Sequence, residues 1–219
     1  MSLLLGIETA SLSYAVVFGR GGQVLYDSGE DAAGEPAKDL AGLVGRGLAA
    51  VGATPADIAA IAVNVGPGGL GAVRAGVSFA NALAYGLGRQ VCPITAFELI
   101  GFAAWRQAGL PVLCLRATSH GNAYAGLYDG GTVTAMRYGP LAPTILAVAG
   151  GRARLAVAGT SRDQVAAILP GATVVDTGIA AARARTLIEI GIAGRPCADP
   201  ATSPVSPLNE LSRVFHEPA

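Results

Sequence analysis

The sequence predicts an α/β fold in which mixed sheets are flanked by helices. Short apolar runs, such as residues 3–7 and 58–65, have the composition of buried strands. Longer stretches, such as residues 38–51, repeat their apolar side chains at helical spacing. A group of strands followed by alternating helices and strands then occurs twice along the 219 residues. This order of elements is typical of an α/β protein.

The first half of the chain opens with three short predicted strands. Residues 19–22 connect the second strand to the third, which indicates an antiparallel meander. Thr54, Pro55 and Asp57 resemble a helix start, with an N-cap, a proline at the first helical position and an acid in the first turn. The predicted strands are 3–7, 14–18, 23–26, 58–65 and 91–94, and the predicted helices are 38–51, about 72–87 and about 97–107.

The second half repeats this order less clearly. The predicted strands are 112–116, 124–128, 133–138, 155–158 and 173–175, and the predicted helices are 144–149, 162–169 and 179–192. The proline-rich stretch 200–207 is expected to be a loop or a docking tail.

Composition limits the function classes. Hydrophobic residues make up 52% of the chain, the mean hydropathy is +0.49 and the formal net charge is zero. The charge-free runs are too short for a membrane span, and no basic region precedes the first apolar residues, so we expect a cytoplasmic protein without a signal peptide. The arginines are scattered along the chain, which argues against unaided binding of nucleic acid.

The three cysteines, Cys92, Cys114 and Cys197, are widely spaced and odd in number. No C-x-x-C motif or His pairing accompanies them, so the sequence supports neither a disulfide framework nor a zinc site. We expect reduced thiols in the core.

A glycine-rich turn, Gly66 to Gly76, follows the 58–65 strand and leads into a helix. This arrangement directs backbone N–H groups and the positive end of a helix dipole towards an anion. The string fits G-x-G-x-x-G, but no acidic residue lies in residues 91–95, where a dinucleotide fold requires one. Lys38 is the only lysine, which excludes a P-loop.

The same turn resembles the G-P-G-S-F-T-G-L-R-I-G signature of the bacterial TsaB family, also described as M22 peptidase homologues or YeaZ-like proteins. The matching residues are Gly66, Pro67, Gly68, Arg74 and Gly76, while Gly69, Gly71 and Ala72 replace the family's Ser, Thr and Gly. Residues 3–10 resemble the family's opening strand I-L-x-I-D-T-A, with Glu8 in place of Asp. Residues 117–128 resemble its D-A-R-x-x-E-V-Y segment with divergent polar positions.

The resemblance implies an actin/hexokinase/Hsp-chaperone-like (ASKHA) fold of two lobes. The first, residues 1–98, contains the glycine-rich turn and the partner-binding helices, and the second, residues 99–219, is divergent and ends in the proline-rich tail. The implied function is that of a non-catalytic subunit that dimerises with TsaD and supports threonylcarbamoyl transfer to the tRNA adenosine next to the anticodon. TsaE is a further implied partner, the chain alone is expected to form a homodimer, and tRNA is contacted only indirectly. No cofactor is required by the resemblance, which allows ATP or ADP with Mg at the subunit junction.

Two sets of site residues follow from the resemblance. The anion- or nucleotide-binding set is Glu8, Gly66, Gly68, Gly69 and Arg74. The partner-interface set is Leu40, Leu43, Val44, Ala72, Val73, Gly76, Val77 and Ala80. Glu8 either handles a nucleotide-bound metal or caps the turn at residues 9–11.

Small residues recur every four positions on both helices, as Ala41, Gly45 and Ala49 on one and as Ala72, Gly76, Ala80 and Ala84 on the other. Such spacing allows helix backbones to approach closely. The alternatives are burial against the lobe's own sheet and an intersubunit helix bundle. If the bundle forms, Ala80→Arg abolishes pairing without unfolding the lobe.

No catalytic residue is predicted. The chain's only histidines are His120 and His216, and the helix predicted at 97–107 lacks the H-x-x-x-H pair of TsaD, so a metallopeptidase is excluded. Residues 35–39 occupy the position of a histidine found in the family.

Two alternative functions stay open. One is an ASKHA-type ATP-dependent small-molecule kinase, whose second phosphate loop is sought at Asp176-Thr177-Gly178 or at Gly159-Thr160-Ser161. The other is an orphan homodimeric interaction protein.

Overall fold

The computed structural model describes residues 2–11, 13–30 and 38–216. These residues divide into two compact units. Unit 1 lies within Met1–Ala96 and Arg183–Pro207, and unit 2 lies within Phe97–Ala182 and Leu208–Ala219. The chain therefore leaves unit 1, builds most of unit 2, and returns to unit 1 before its last residues rejoin unit 2.

Unit 1 contains a five-stranded sheet in the order β3-β2-β1-β4-β5. Its strands are β1 (Leu3–Glu8), β2 (Ala15–Arg20), β3 (Gln23–Asp27), β4 (Ile58–Asn64) and β5 (Gln90–Ile94). The first three strands pair antiparallel, which confirms the predicted meander. Strands β1, β4 and β5 run parallel, and the near-continuous apolar runs of β1 and β4 match their central, buried positions.

Two long helices cover this sheet. They are α1 (Leu40–Ala50), which contacts β2 and β3, and α2 (Leu70–Leu87), which contacts β4, β5 and β1. The Asp39 carboxylate caps α1 by accepting the Gly42 N–H at 2.9 Å. A single 3₁₀ turn, Pro55–Asp57, forms where the Thr54–Asp57 pattern predicted a helix start.

A short helix from the returning segment completes unit 1. This helix, which we label α6 (Thr186–Ile190), packs against β1 and β2. The predicted helix over 179–192 is therefore wrong in length. Residues 179–185 are alanine-rich and favour a helix locally, but this stretch carries the chain from unit 2 into unit 1, and Gly191 ends α6 at a φ of 68°.

Unit 2 repeats the topology of unit 1. Its sheet has the order β10-β9-β6-β7-β8, with β6, β7 and β8 antiparallel and β6, β9 and β10 parallel. The strands are β6 (Val112–Ala117), β7 (Asn122–Asp129), β8 (Thr132–Pro140), β9 (Arg154–Gly159) and β10 (Thr173–Asp176), and the helices are α3 (Ala96–Ala108), α4 (Leu141–Ala149) and α5 (Val165–Ile168). Two mixed sheets flanked by helices confirm the predicted fold class.

The cysteines differ from expectation. Cys92 on β5 and Cys197 form a disulfide across 105 residues of sequence, with their Cα atoms 4.2 Å apart, while Cys114 is a free, buried thiol. The prediction of three reduced thiols is wrong for this pair, because only the return of the chain to unit 1 brings Cys197 beside β5. Within the described residues, every helix is too short or too polar to span a membrane.

Candidate functional site

The carboxyl ends of β1 and β4 place two polar side chains side by side in unit 1. These strands are parallel neighbours, so their ends meet at one edge of the sheet. Glu8 ends β1 and is 2% exposed, and Asn64 ends β4 and is fully buried. The Asn64 amide donates from Nδ2 to Glu8 Oε2 at 2.5 Å. Glu8 Oε1 accepts the backbone N–H of Ser11 at 2.9 Å.

Asn64 also fixes the start of the glycine-rich turn. Its Oδ1 accepts the Gly66 N–H at 2.9 Å, and the Gly66 carbonyl accepts the Ala96 N–H at 2.7 Å. Gly66 has a φ of 95°, which favours glycine, and it precedes a cis peptide bond to Pro67. The Gly66 N–H is therefore bonded to a side chain of unit 1.

The next three glycines differ in the space around their missing Cβ atoms: Gly68 is closely packed, whereas Gly69 and Gly71 are open. A Cβ on Gly68 would lie 2.5 Å from the Ala10 carbonyl oxygen, so this position requires glycine for close packing against the turn after β1. Gly69 is the N-cap of α2 and supplies no side-chain cap, and Gly71 lies in the first turn. Neither Gly69 nor Gly71 has an atom within 4 Å of its missing Cβ. Crowding therefore does not explain why these two positions lack a side chain.

Thr9 contributes a buried polar atom beside this turn. It is fully buried, and its Oγ1 has no hydrogen-bond partner among the described residues. A Cβ on Gly76 of α2 would collide with this same oxygen. Gly76 therefore serves close packing between α2 and the end of β1.

Arg74 lies on α2 and takes no part in the hydrogen bonds of the Glu8–Asn64 pair. It is the fifth residue of α2, and its side chain is exposed. Arg74 has no hydrogen-bond or ion-pair partner within the part of the chain that the structure describes. Its positive charge and the uncapped first turn of α2 are the features of this region that favour an anion.

The predicted partner-interface residues are mostly core residues. Seven of the eight are buried, namely Leu40, Leu43, Val44, Val73, Gly76, Val77 and Ala80, and Ala72 is half-buried. Helix α1 contacts β2 and β3, and α2 contacts β4, β5 and β1. The buried sides of both helices therefore pack against the sheet of unit 1. These side chains therefore offer little surface to a partner.

The opposite sides of α1 and α2 carry a second set of small residues. Ala41, Gly45 and Ala49 are exposed on α1, and Gly71, Ser78 and Ala82 are exposed on α2. We call these six residues the outward faces. Tyr85, which is 68% exposed, extends the α2 face towards its C-terminus.

The two candidate phosphate loops lie together in unit 2. Gly159 and Asp176 end the parallel neighbours β9 and β10. Arg162 joins the loops, since its Nε donates to Asp176 Oδ1 at 2.8 Å and its guanidinium donates to the Gly159 carbonyl at 3.0 Å. The Thr160 hydroxyl accepts the Ala117 N–H at 2.6 Å, and Ser161 has a φ of 58°. The Asp176 carboxylate is thus already paired with a cation.

Metal ligands do not cluster in the described residues. No three His, Cys, Asp or Glu side chains there come close enough to hold an ion. His120 is exposed in the turn Ser119–Gly121, and the His216 imidazole is 2.7 Å from the Glu210 carbonyl. Residues 35–37 of the divergent 35–39 segment lie outside the described residues.

Sequence reasoning missed Asn64 and Thr9. Asn64 carried a usable signal, because it is the one polar residue in the apolar run 58–65 and stands next to the glycine-rich turn. Buried amides need hydrogen-bond partners, so a structural or site role could have been inferred. Thr9 carried no such signal, since a threonine after a strand is common in turns.

Comparison with known proteins supports the fold and the family. The family model described as TsaD, tRNA N6-adenosine threonylcarbamoyltransferase, matches residues 30–139, which are 110 of the 219 residues. No curated protein matches the chain.

Two solved structures share the fold. An uncharacterized protein with similarity to peptidase YEAZ from Pseudomonas aeruginosa superposes with a TM-score of 0.78 and 21% identity, covering 95% of this chain and 99% of that chain. YeaZ from Pseudomonas aeruginosa superposes with a TM-score of 0.69 and 22% identity, covering 88% of this chain and 92% of that chain. The predicted YeaZ-like resemblance is confirmed at the level of the fold.

Proposed function

The chain belongs to the family of TsaD, tRNA N6-adenosine threonylcarbamoyltransferase, and we propose that it acts there as a non-catalytic, TsaB-like subunit. In this role it pairs with TsaD and supports the transfer of a threonylcarbamoyl group to the tRNA adenosine next to the anticodon. TsaE joins the complex, and the chain contacts tRNA only indirectly. Its zero net charge fits a subunit that leaves most phosphate contacts to a partner.

The burial and hydrogen bonding of Glu8 are the main observation behind this proposal. In the fold's first strand this carboxylate is the natural metal-handling group, yet here it is 2% exposed and accepts hydrogen bonds from Asn64 and Ser11. A carboxylate held in this way supports the glycine-rich turn instead of presenting its oxygens to a ligand. The turn is therefore retained as structure, which suits a subunit that positions a catalytic partner.

The outward faces provide the contact surface in this proposal. Small side chains on exposed helix faces allow the backbone of a partner helix to approach closely. Gly45 and Gly71 have no atom within 4 Å of a missing Cβ, so both faces are open. Arg46 and Arg74 are exposed on the same helices and can pair with carboxylates of the partner.

The first experiment mixes the purified chain with TsaD from the same organism and measures complex mass by light scattering on a sizing column. A mixed species of heterodimer mass or larger supports the proposal. Two unmixed peaks, repeated with ATP and Mg, contradict it. A homodimer of this chain that never exchanges with TsaD would then favour the orphan homodimeric interaction protein.

A matched pair of α2 variants locates the surface. Ala82 is exposed and Ala80 is fully buried, so Ala82→Arg should abolish pairing while the urea midpoint stays unchanged. Ala80→Arg should unfold unit 1, because a charged side chain cannot be buried there without a partner. Normal pairing by a folded Ala82→Arg variant would place the contact elsewhere.

We also propose that ATP or ADP with Mg binds at the subunit junction through the first turn of α2 and Arg74. Exposed backbone N–H groups and a guanidinium suit phosphate oxygens. Isothermal titration of the mixed complex with MgADP should give binding that Arg74→Gln weakens about tenfold, equivalent to one charge-assisted contact. Unchanged affinity in Arg74→Gln would remove the residue from the site.

The neighbouring loops of unit 2 favour the ATP-dependent kinase as a second candidate function. The two alternative positions for its second phosphate loop, Gly159-Thr160-Ser161 and Asp176-Thr177-Gly178, follow adjacent parallel strands and form one polar region. Tight Mg-ATP binding by the isolated chain, lost in Asp176→Asn, would favour this candidate over the TsaB-like subunit.

A further inference from the structure

A segment of the returning chain is fastened along one edge of unit 1. We call residues 195–207 the strap. Its first fastening is the Cys92–Cys197 disulfide. Next to it, Val91 and Ala198 form an antiparallel bridge with both backbone hydrogen bonds, at 2.9 and 2.8 Å. Strand β5 is the edge strand of its sheet, so the strap covers part of an edge that otherwise has unpaired backbone groups.

The second fastening lies on α2. The Asn81 side chain donates to the Val205 carbonyl at 2.9 Å and accepts the Val205 N–H at 3.1 Å. Between the fastenings, Asp199 and Ala201 line an open cavity of about 260 Å³ together with Tyr85 and Arg89 at the C-terminal end of α2. The strap therefore runs beside the α2 outward face.

The two cysteines of the disulfide differ in burial. Cys92 is fully buried on β5, whereas Cys197 is half-buried on the strap. An external thiolate must reach a sulfur atom to open a disulfide, so Cys197 is the point of attack. The remaining cysteine, Cys114, is fully buried, and burial raises the pKa of its thiol far above the ordinary value. Cys114 cannot compete in exchange under native conditions.

We propose that Cys92–Cys197 is a thiol–disulfide exchange site for dithiols, and that the state of this bond determines how firmly the strap is held. A dithiol thiolate attacks Sγ of Cys197, the Sγ–Sγ bond breaks, and Cys92 leaves as a thiolate that takes up a proton. The second thiol of the reagent then attacks the mixed disulfide and releases Cys197 as a thiolate, which is also protonated. The protein gains two electrons and two protons, and the dithiol becomes a cyclic disulfide.

Reduction leaves the strap with weaker fastenings. The Val91–Ala198 bridge and the Asn81–Val205 pair then remain as its fastenings to β5 and α2, and each consists of two hydrogen bonds. Local opening of such a segment becomes more frequent when a covalent link is lost. Because the strap lies beside the α2 outward face, its release should weaken pairing with TsaD, a consequence that rests on the proposed function.

The exchange step is tested by counting thiols in the folded protein. Air-oxidised protein treated with iodoacetamide at about pH 8, where thiolates are the reacting species, should take up no label. After dithiothreitol under native conditions it should take up two labels, on Cys92 and Cys197. Three thiols in the denatured, unreduced protein, or a bond that opens only after denaturation, would overturn the proposal.

Hydrogen exchange tests the release of the strap. The amides of Ala198 and Val205 should exchange at least tenfold faster after reduction, while the amide of Ala96, bonded to the Gly66 carbonyl, should not change. Cys197→Ser should show the fast exchange without reductant, and Cys114→Ala should respond to dithiothreitol like the wild type. Equal hydrogen exchange of the strap amides in the oxidised and reduced protein would overturn the claim that the disulfide determines how firmly the strap is held.

Pairing is compared without reductant, using the oxidised wild type and Cys197→Ser. The variant should bind TsaD about tenfold more weakly. Equal binding by both overturns the effect on pairing and leaves the proposed function standing. If neither protein binds TsaD, both the proposed function and the effect on pairing are overturned. The thiol count and the hydrogen-exchange rates still test whether the disulfide exchanges and whether it holds the strap.

Discussion

Asn64 links the two parts of the candidate site at the scale of single residues. One face of its amide donates to Glu8, and the other accepts from Gly66. A buried carboxylate and a buried backbone N–H thus depend on one side chain. The end of β1 and the start of the glycine-rich turn are therefore joined through this amide.

Asn64→Ala should lower the free energy of unfolding by about 3 kcal/mol, since it removes a hydrogen bond from the buried Glu8 carboxylate and the side-chain acceptor of the buried Gly66 N–H. Urea denaturation measures the loss. Asn209→Ala is the control, because Asn209 accepts a single hydrogen bond in an exposed turn and should cost less than about 1 kcal/mol. Similar losses in the two variants would remove Asn64 from its linking role.

Asp57 gives a pH-dependent prediction at the same scale. Hydrogen bonds from the Thr54 backbone N–H, and then from the Thr54 hydroxyl, hold the pKa of Asp57 below its ordinary value. A carboxyl whose pKa is lower in the folded state stabilises the fold above its unfolded pKa, and this stabilisation disappears as the pH falls through the folded pKa. Asp57→Asn keeps an acceptor but removes the charge. The gap in urea midpoint between wild type and variant should therefore be largest at neutral pH and should close as the pH falls below the ordinary aspartate pKa and then through the lower folded pKa. A gap that is constant between about pH 2 and about pH 7 would contradict this cause.

At the scale of elements, α1 has one buried side and one exposed side. One side packs on the meander, and the other carries exposed Ala41, Gly45 and Ala49. The sequence showed the helix and its small residues. The apolar side was visible in the sequence, but the surface that this side contacts was not, because helical spacing is the same whether a sheet or a partner covers the helix.

Two glycines of α1 separate these sides experimentally. Gly45→Ala should raise the free energy of unfolding by about 1 kcal/mol, since Gly45 lies in open space and alanine favours the helix. Gly47→Ala should lower it by about 1–3 kcal/mol, because a new Cβ would meet the fully buried Phe18 ring. Thermal unfolding of both variants provides the comparison. Stabilisation by Gly47→Ala would mean that α1 does not pack on β2 as described.

At the scale of the whole molecule, both units use the same strand order. Three antiparallel strands are followed by two parallel ones in unit 1 and again in unit 2. Unit 1 is nevertheless completed by residues that follow most of unit 2 in the chain. Its stability should therefore depend on α6.

Leu187→Ala should lower the free energy of unfolding by about 3 kcal/mol, because Leu187 is fully buried against β1 near Gly6 and no neighbour can fill the cavity without moving. Urea denaturation, with limited proteolysis to locate the opened region, measures the effect. Leu211→Ala is the control, since Leu211 is 82% exposed and should change stability by less than about 0.5 kcal/mol. Equal stability of the two variants would show that unit 1 does not need the returning helix.

The sequence by itself determined the α/β class, the meander, most strands and helices, and the position of the glycine-rich turn. Alternation, helical spacing and turn residues act over a few neighbouring positions, so a linear pattern records them. Only the tertiary structure decided that Asn64 holds Glu8, that Gly76 and Ala80 face the sheet, that α6 returns to unit 1, and that Cys197 meets Cys92. These contacts join residues far apart in the chain, and their energies depend on burial and approach that no local pattern contains.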